Sequence, residues 1–93
     1  MAEEFTHDRA AGQFEVTIDG VHAGEAHYRL SGSVAYFDST VVPPAFRGRG
    51  IAGRLVQHAM DEIQEAGDWQ VRPACSYVVR WFALHPDYAD LLA

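Results

Sequence analysis

The sequence predicts a single α+β domain with the element order β-β-β-α-β-α. Apolar and polar residues alternate over much of residues 13–42, which is typical of half-buried strands, whereas apolar residues recur at helical spacing from residue 51 onward. The chain has 93 residues, which leaves room for one core and no second one. We therefore expect a flexible N terminus over residues 1–12 and one folded domain over residues 13–93.

The first half of this domain is predicted to be an antiparallel meander of three strands. Asp19-Gly20 is a strong signal for a tight hairpin turn, and Ser31-Gly32-Ser33 turns the chain again. Pro43-Pro44 ends the third strand, because proline cannot donate to a β-ladder. The predicted strands are QFEVTID at 13–19, HAGEAHYRL at 22–30 and VAYFDSTVV at 34–42.

The second half is predicted to be helix, strand and helix. An apolar stripe at helical spacing runs from Ile51 to Ala66, and Gly67 follows as a C-terminal stop. WQVRPAC at 69–75 is then a short strand, and a second helix over 76–85 ends before Pro86. Because a strand, a helix and a returning strand form a crossover connection, the last strand should lie parallel to the third.

Composition excludes several classes of protein. The formal charge is −6 and all seven basic residues are arginines, which argues against a non-specific nucleic-acid binder. No apolar run approaches the roughly 20 residues of a membrane span, and the first residues lack the pattern of a signal peptide. A single cysteine cannot form an internal disulfide, so we expect a cytoplasmic protein.

Glycine and arginine are concentrated at the predicted start of the first helix. Between residues 47 and 54 lie Arg47, Arg49 and Arg54, together with three glycines at 48, 50 and 53. Backbone N–H groups in the first turn of a helix have no internal partners, and glycines let a phosphate approach them closely. Arginines at the edge add charge-assisted hydrogen bonds. The segment therefore predicts an anion site, although an ordinary turn with solvated arginines is the alternative.

Two named phosphate motifs fit this segment poorly. A P-loop needs a lysine, and the chain has none. The letters GRGIAG at 48–53 match the dinucleotide fingerprint, but a proline pair and an antiparallel meander precede them, where a buried parallel strand is required. This glycine pattern alone is a weak signal.

The same residues also read Arg47-x-x-Gly50-x-Ala52 after VVPP, and CSYV follows at 75–78. In both segments, and in their order, the chain resembles the small single-domain members of the GCN5-related N-acetyltransferase (GNAT) family. The resemblance runs from about Phe14 to Leu92, nearly the whole chain. It implies a minimal GNAT fold in which the third and fourth predicted strands, a parallel pair, splay apart to admit the cofactor.

The resemblance also implies a substrate and a set of binding residues. Val41 and Val42 would lend main-chain hydrogen bonds to the pantetheine arm of acetyl-CoA, and the next segment would hold its pyrophosphate. The residues of that segment are Arg47, Gly48, Arg49, Gly50, Ile51, Ala52 and Gly53. The acceptor is expected to be an amine, on a small molecule or a protein, and the chain a monomer or a weak homodimer. The alternative is a module that binds CoA or acyl-CoA without turnover and acts through a partner.

Two transfer mechanisms remain open at the sequence level. Cys75 precedes the second helix, which Ser76 could cap, and a helix N terminus makes a thiol a better nucleophile, so Cys75 could carry the acetyl group. The alternative role of Cys75 is as a small core residue. Direct attack by an amine needs a base and an acid; Tyr77 is a possible acid, but core packing is its expected role. Relatives often carry a histidine just before Thr40, where this chain has Ser39.

No metal site is predicted. The five histidines, at 7, 22, 27, 58 and 85, do not form a convincing ligand set. His22 and His27 are five residues apart on a predicted strand, which would place them on opposite faces. The single cysteine adds one ligand at most.

Overall fold

Residues 2–93 are described by a computed structural model, and within them five strands form one sheet. The strands are β1 (Glu3–Asp8), β2 (Gln13–Ile18), β3 (Val21–Ser31), β4 (Val34–Val41) and β5 (Gln70–Pro73). The helices are α1 (Ile51–Ala66) and α2 (Ser76–Leu84), with 3-10 segments at Pro44–Phe46 and Pro86–Leu91. The sheet order follows the sequence, and all neighbours are antiparallel except β4 and β5. The predicted parallel pair is confirmed.

The first strand is absent from the predicted order. The sequence predicted a flexible N terminus over residues 1–12, but β1 pairs with β2 along its whole length, from Glu3 opposite Ile18 to Asp8 opposite Gln13. Its inward positions alternate as in any half-buried strand. Three residues of β1 point inward, and two of them, Glu3 and His7, are polar. The sequence therefore shows no alternation of apolar and polar residues here.

His7 is accommodated in the interior because both ring nitrogens have partners. Nδ1 lies 2.5 Å from Glu62 Oε2 on α1, and Nε2 lies 2.6 Å from the Tyr28 hydroxyl on β3. A carboxylate can only accept, so Nδ1–H donates to Glu62, and Nε2 and the Tyr28 hydroxyl share the second hydrogen bond. Burial raises the pKa of Tyr28, which keeps its proton available for this bond. The His7 ring also stacks on the Phe14 ring, with 3.9 Å between the two ring centroids.

Both helices pack on the same apolar face of the sheet, forming one core. The amphipathic stripe of α1 lies against β2 and β3, and α2 lies against β4 and β5 beside α1. The fully buried large side chains are Phe14, Val16, Phe37, Ile51, Leu55, Val56, Met60, Val71 and Val78. The opposite face of the sheet carries mainly polar, half-exposed side chains. The molecule therefore has two layers.

A bulge in β3 overturns the predicted placement of two histidines. Val16 is opposite Gly24 and Thr17 is opposite His22, so Ala23 is an extra residue in β3. One extra residue reverses the alternation of side chains along a strand. His22 and His27 consequently lie on the same, outer face of the sheet, and the prediction of opposite faces was wrong.

A second bulge marks the point where β4 leaves β5. Asp38 is the extra residue between the pairs His27–Ser39 and Tyr28–Phe37. The pairing of β4 with β5 ends at Phe37 opposite Pro73, and the Ala74 N–H donates to the Phe37 carbonyl at 2.8 Å. The β4–β5 pairing therefore ends at this bulge, and the space beyond it, between the second half of β4 and the start of α2, is called the gap below.

Candidate functional site

A cleft of about 250 Å³ lies at the N-terminal end of α1. It collects most of the residues that the sequence predicted as an anion site, and two aromatic rings complete its wall. The lining residues are Val42, Phe46, Arg47, Gly48, Gly50, Ile51, Ala52, Gly53 and Tyr77. Val41, Arg49 and Cys75 lie outside this lining, although Arg49 packs on one of the two rings.

The backbone at the cleft leaves several donors without helical partners. The first i to i−4 bond of α1 runs from the Arg54 N–H to the Gly50 carbonyl at 3.2 Å. The N–H groups of Ile51, Ala52 and Gly53 therefore have no acceptor within the helix. Gly50 precedes them in the left-handed conformation, at φ 73°, which glycine adopts without strain. The partial positive charge of the helix dipole adds to these donors, so the cleft favours an anion.

The three arginines of the segment have different roles. Arg47 Nε donates to the Val42 carbonyl at 3.1 Å and so joins the end of β4 to the turn. The Arg49 guanidinium lies 5.4 Å above the centre of the Phe46 ring. Arg54 forms two hydrogen bonds of 2.9 Å with the Glu3 carboxylate and points toward β1. Arg54 Nη1 also donates to the Arg49 carbonyl at 3.0 Å beside Gly50, and Arg47 is the arginine that lines the cleft.

Tyr77 belongs to the cleft, which corrects the expectation that it packs in the core. Its side chain is 39% exposed. A Cβ atom placed on Gly53 would lie 3.5 Å from the Tyr77 hydroxyl oxygen, so the hydroxyl faces the first turn of α1. Partial burial raises the pKa of Tyr77, while Arg80 acts in the opposite direction. The phenol is protonated at neutral pH and can donate a proton into the cleft.

Cys75 lies at the gap between β4 and the start of α2. It is the N-cap residue of α2, in an extended conformation, and no side-chain cap bond is formed there. Ser76 is the first helical residue, so the expectation that Ser76 caps this helix was wrong. The Cys75 sulfur lies 3.8 Å from Thr40 Oγ1 on β4 and is partly buried. The thiol therefore faces the diverging half of β4.

The end of β4 forms the other wall of the gap. Val41 is opposite Glu25 of β3 and is 43% exposed. Val42 is half-buried and lines the cleft, and its carbonyl already accepts a bond from Arg47. Ser39 is opposite His27 in the β3–β4 ladder and is half-buried.

Comparison with known proteins identifies the family. The profile of a family described as GCN5-related N-acetyl-transferase matches residues 13–91, from β2 to the end of the last 3-10 segment. The chain belongs to this family. The GNAT resemblance read from the Arg47-x-x-Gly50-x-Ala52 and CSYV segments is confirmed.

Several relatives and solved structures resemble this GNAT chain. Protein NATD1 from Xenopus tropicalis is 35% identical over 82 residues, which cover 86% of this chain and 74% of the relative, and the Homo sapiens protein is 33% identical over 82 residues. The ribosomal-protein-S18-alanine N-acetyltransferase of Escherichia coli superposes with a TM-score of 0.64 at 17% identity. N-acetylglutamate synthase from Neisseria gonorrhoeae, solved with coenzyme A and N-acetyl-glutamate, gives a TM-score of 0.62 at 18% identity.

The superpositions support the fold and not a shared substrate. The chain covers 52% of the E. coli structure and 22% of the N. gonorrhoeae structure, while 89% of this chain is covered in each. The predicted α+β class and the small size of the GNAT domain are confirmed. In residues 2–93 no helix combines the length and the apolar character needed to cross a membrane.

Two cleft residues were not among the predicted binding residues. Phe46 directly precedes Arg47 of the motif. This adjacency is the only feature of the sequence that could have indicated a role for Phe46 in the cleft. Tyr77 lies inside the CSYV segment, but its apolar neighbours in the sequence favoured a place in the core. The chain turns at Cys75, which places the first turn of α2 beside the first turn of α1. Tyr77 therefore lies at the cleft and not in the core.

Proposed function

We propose that this GNAT domain binds acetyl-CoA in the cleft at the start of α1 and transfers its acetyl group to an amine. One observation carries the proposal: the motif residues meet in a single cleft, where helix N–H groups without internal acceptors lie beside Arg47. A pyrophosphate fits this chemistry, since it needs several donors and nearby positive charge. The proposal assigns the pantetheine arm to the gap beyond the β4–β5 pairing, along Val41 and Val42.

Direct transfer assigns a role to Tyr77. The amine nitrogen attacks the thioester carbonyl, a tetrahedral intermediate forms, and the carbon–sulfur bond then breaks. The departing CoA thiolate takes a proton, and Tyr77, two residues after Cys75 on the same helix, carries a hydroxyl that is protonated at neutral pH. Ser39 replaces the histidine of many relatives, so this chain would draw on water or on the acceptor itself to remove the amine proton.

A covalent route through Cys75 is the second possibility. The Cys75 thiolate would attack the thioester carbonyl and release CoA, which leaves an acetyl group on the Cys75 sulfur. The amine would then attack this new thioester and free the thiol. The position of Cys75 at the gap supports this route, because the thioester end of a bound pantetheine arm would lie there.

Titration with CoA and acetyl-CoA by calorimetry tests the binding step. We expect saturable binding that weakens as salt rises, because the main contacts are to phosphates. Arg47→Ala should cost about 1.5–3 kcal/mol, roughly ten- to hundredfold in affinity. Arg29→Ala is the matched control, since it removes the same charge from the outer face, where Arg29 Nε pairs with Asp38 at 3.1 Å. Absence of binding at millimolar CoA would refute the proposal.

Release of free CoA thiol from acetyl-CoA, measured in the presence of a panel of small amines and N-terminal peptides, tests the transfer step. Release that depends on an amine and falls in Tyr77→Phe supports an acetyltransferase. Tight binding without release for any amine supports the alternative, a binding module that acts through a partner. The cytoplasmic location and the monomeric or weakly dimeric state remain part of the proposal.

A further inference from the structure

Four metal-ligating side chains meet on the outer face of the β2–β3 hairpin, away from the helices. Glu15 of β2 and three residues of β3, His22, Glu25 and His27, share this face because of the bulge at Ala23. His22 Nδ1 lies 2.6 Å from Glu15 Oε2, and His22 Nε2 lies 3.7 Å from Glu25 Oε2. His27 Nε2 lies 3.1 Å from the other Glu25 oxygen. One ligand atom from each of Glu15, His22 and Glu25 can be chosen so that all three lie within 4.8 Å of one another.

The two carboxylates in this cluster are directly opposite each other. Glu15 is paired with Glu25 across the antiparallel ladder. Like charges in this position destabilise a sheet unless a cation lies between them. The arginine next along this face, Arg29, is engaged by Asp38 at 3.1 Å. A divalent cation held by both carboxylates would therefore offset the repulsion between them.

We propose that Glu15, His22 and Glu25 bind a divalent transition-metal ion, with zinc as the best match. One imidazole nitrogen and two carboxylate oxygens form a mixed set that suits zinc, whereas magnesium and calcium prefer oxygen ligands alone. Ligand atoms around a tetrahedral zinc are about 3.3 Å apart, given metal–ligand bonds of about 2.0–2.1 Å. One ligand atom from each of the three residues lies within 4.8 Å of the others, so side-chain rotations must bring the set closer together to reach this spacing.

His27 positions the site through its contact with Glu25. Its Nε2 holds the oxygen of Glu25 that faces away from His22, which fixes the carboxylate plane as outer partners do at known metal sites. The side chains of the three proposed ligands are between 27% and 39% exposed, so an ion can enter from solvent and keep a water ligand. Glu25 is also the ladder partner of Val41, which places the metal on the strand that supports the gap.

Titration of the untagged protein with Zn²⁺ alone, followed by calorimetry, tests the proposal. We expect saturable binding of one ion and a rise in melting temperature. His22→Gln and Glu25→Gln should each weaken binding at least about tenfold. Both side chains are half-exposed, so both variants should fold, which a circular dichroism spectrum checks. Imidazole NMR signals of His22 should shift on addition of Zn²⁺, and those of His85 should not. Mg²⁺ should produce neither effect.

Two control variants separate this site from other zinc-binding groups. His58→Gln removes the histidine of a different His–Glu pair, 3.8 Å apart on α1, and Cys75→Ser removes the thiol. Both should bind Zn²⁺ as the wild type does. The proposal is overturned if no saturable binding is found, or if His22→Gln and Glu25→Gln bind as tightly as the wild type.

Discussion

A single methyl group added at Gly53 should change the stability of the fold and the affinity for CoA in opposite directions. It is the third residue of α1, and an added Cβ would meet only the Tyr77 hydroxyl, at an ordinary 3.5 Å. Gly53→Ala should stabilise the helix by up to about 1 kcal/mol, because alanine has the higher helix propensity. The same methyl group would enter the cleft and should weaken CoA binding about tenfold. Calorimetric titration and a thermal melt measure the two effects.

Gly48→Ala is the companion variant, and its expected behaviour differs. Gly48 has φ 80°, where a side chain strains the backbone, although no atom lies within 4 Å of the added Cβ. This variant should lose about 1–2 kcal/mol of stability.

If Gly53→Ala binds CoA as the wild type does, the phosphates do not lie over the first turn of α1.

Cys75 can be tested for a covalent intermediate without interference from lysine, because the chain has none. If the covalent route operates, intact mass measured after mixing with acetyl-CoA and quenching in acid should show one acetyl group. Hydroxylamine should remove it, and Cys75→Ala should not form it. Cys75→Ala with unchanged turnover would instead assign transfer to direct attack, with the thiol as a packing residue beside Thr40.

At the level of elements, the bidentate contact between Glu3 and Arg54 joins β1 to α1. The hydrogen bonds from Arg54 hold the pKa of Glu3 below its ordinary value of 4.5. A carboxyl pKa that is lower in the folded state than in the unfolded state stabilises the fold at pH values above the unfolded-state pKa. This stabilisation is lost as the pH falls through the folded-state pKa. Glu3→Gln should therefore cost about 0.2–1 kcal/mol at pH 7 and nothing in strong acid.

Urea unfolding at pH 7 and at pH 2 measures this difference. Glu4→Gln is the control, because Glu4 is exposed on the same strand and its substitution should change neither curve. A loss in Glu3→Gln that is equal at both pH values would show that the charge of Glu3 does not stabilise the fold.

The same contacts explain which elements the sequence could predict. Strands β2 to β4 and helix α1 bury apolar side chains at regular spacing, so periodicity alone finds them. Strand β1 buries Glu3 and His7, whose partners Arg54 and Glu62 lie about 50 residues away. A local pattern cannot show that a polar residue will find such a distant partner. The cluster at His22 was missed for a related reason, since one bulge residue, Ala23, reverses the alternation on which a face assignment rests.

In the site, as in the fold, residues that are contiguous in the sequence could be predicted, and residues that only folding brings together could not. The binding motif from Arg47 to Gly53 is contiguous, so its glycines and arginines could be identified directly. Tyr77 reaches the cleft only because β5 returns beside β4 and starts α2 next to α1. That juxtaposition depends on the crossover connection and not on the residues near Tyr77.

For the whole molecule, one core predicts one unfolding transition. The buried residues of the sheet and both helices form a single cluster. Trp69 packs near Tyr28 at one side of this core, and Trp81 lies on α2, stacked on His85. Tryptophan emission and far-ultraviolet circular dichroism should therefore report the same midpoint in a thermal melt. Separate midpoints would show that α2 unfolds independently of the sheet.

Ligand binding should raise this single midpoint as a unit. A ligand at one hundred times its Kd stabilises the folded state by about 2.7 kcal/mol. For a domain of this size that corresponds to a rise of roughly 10–20 °C. Since the cleft joins the end of β4 to the start of α1, both spectroscopic probes should shift equally with CoA. Arg47→Ala should reduce the shift at a fixed CoA concentration, and Arg29→Ala should not. A shift in only one probe would mean that CoA orders a local segment and leaves the stability of the core unchanged.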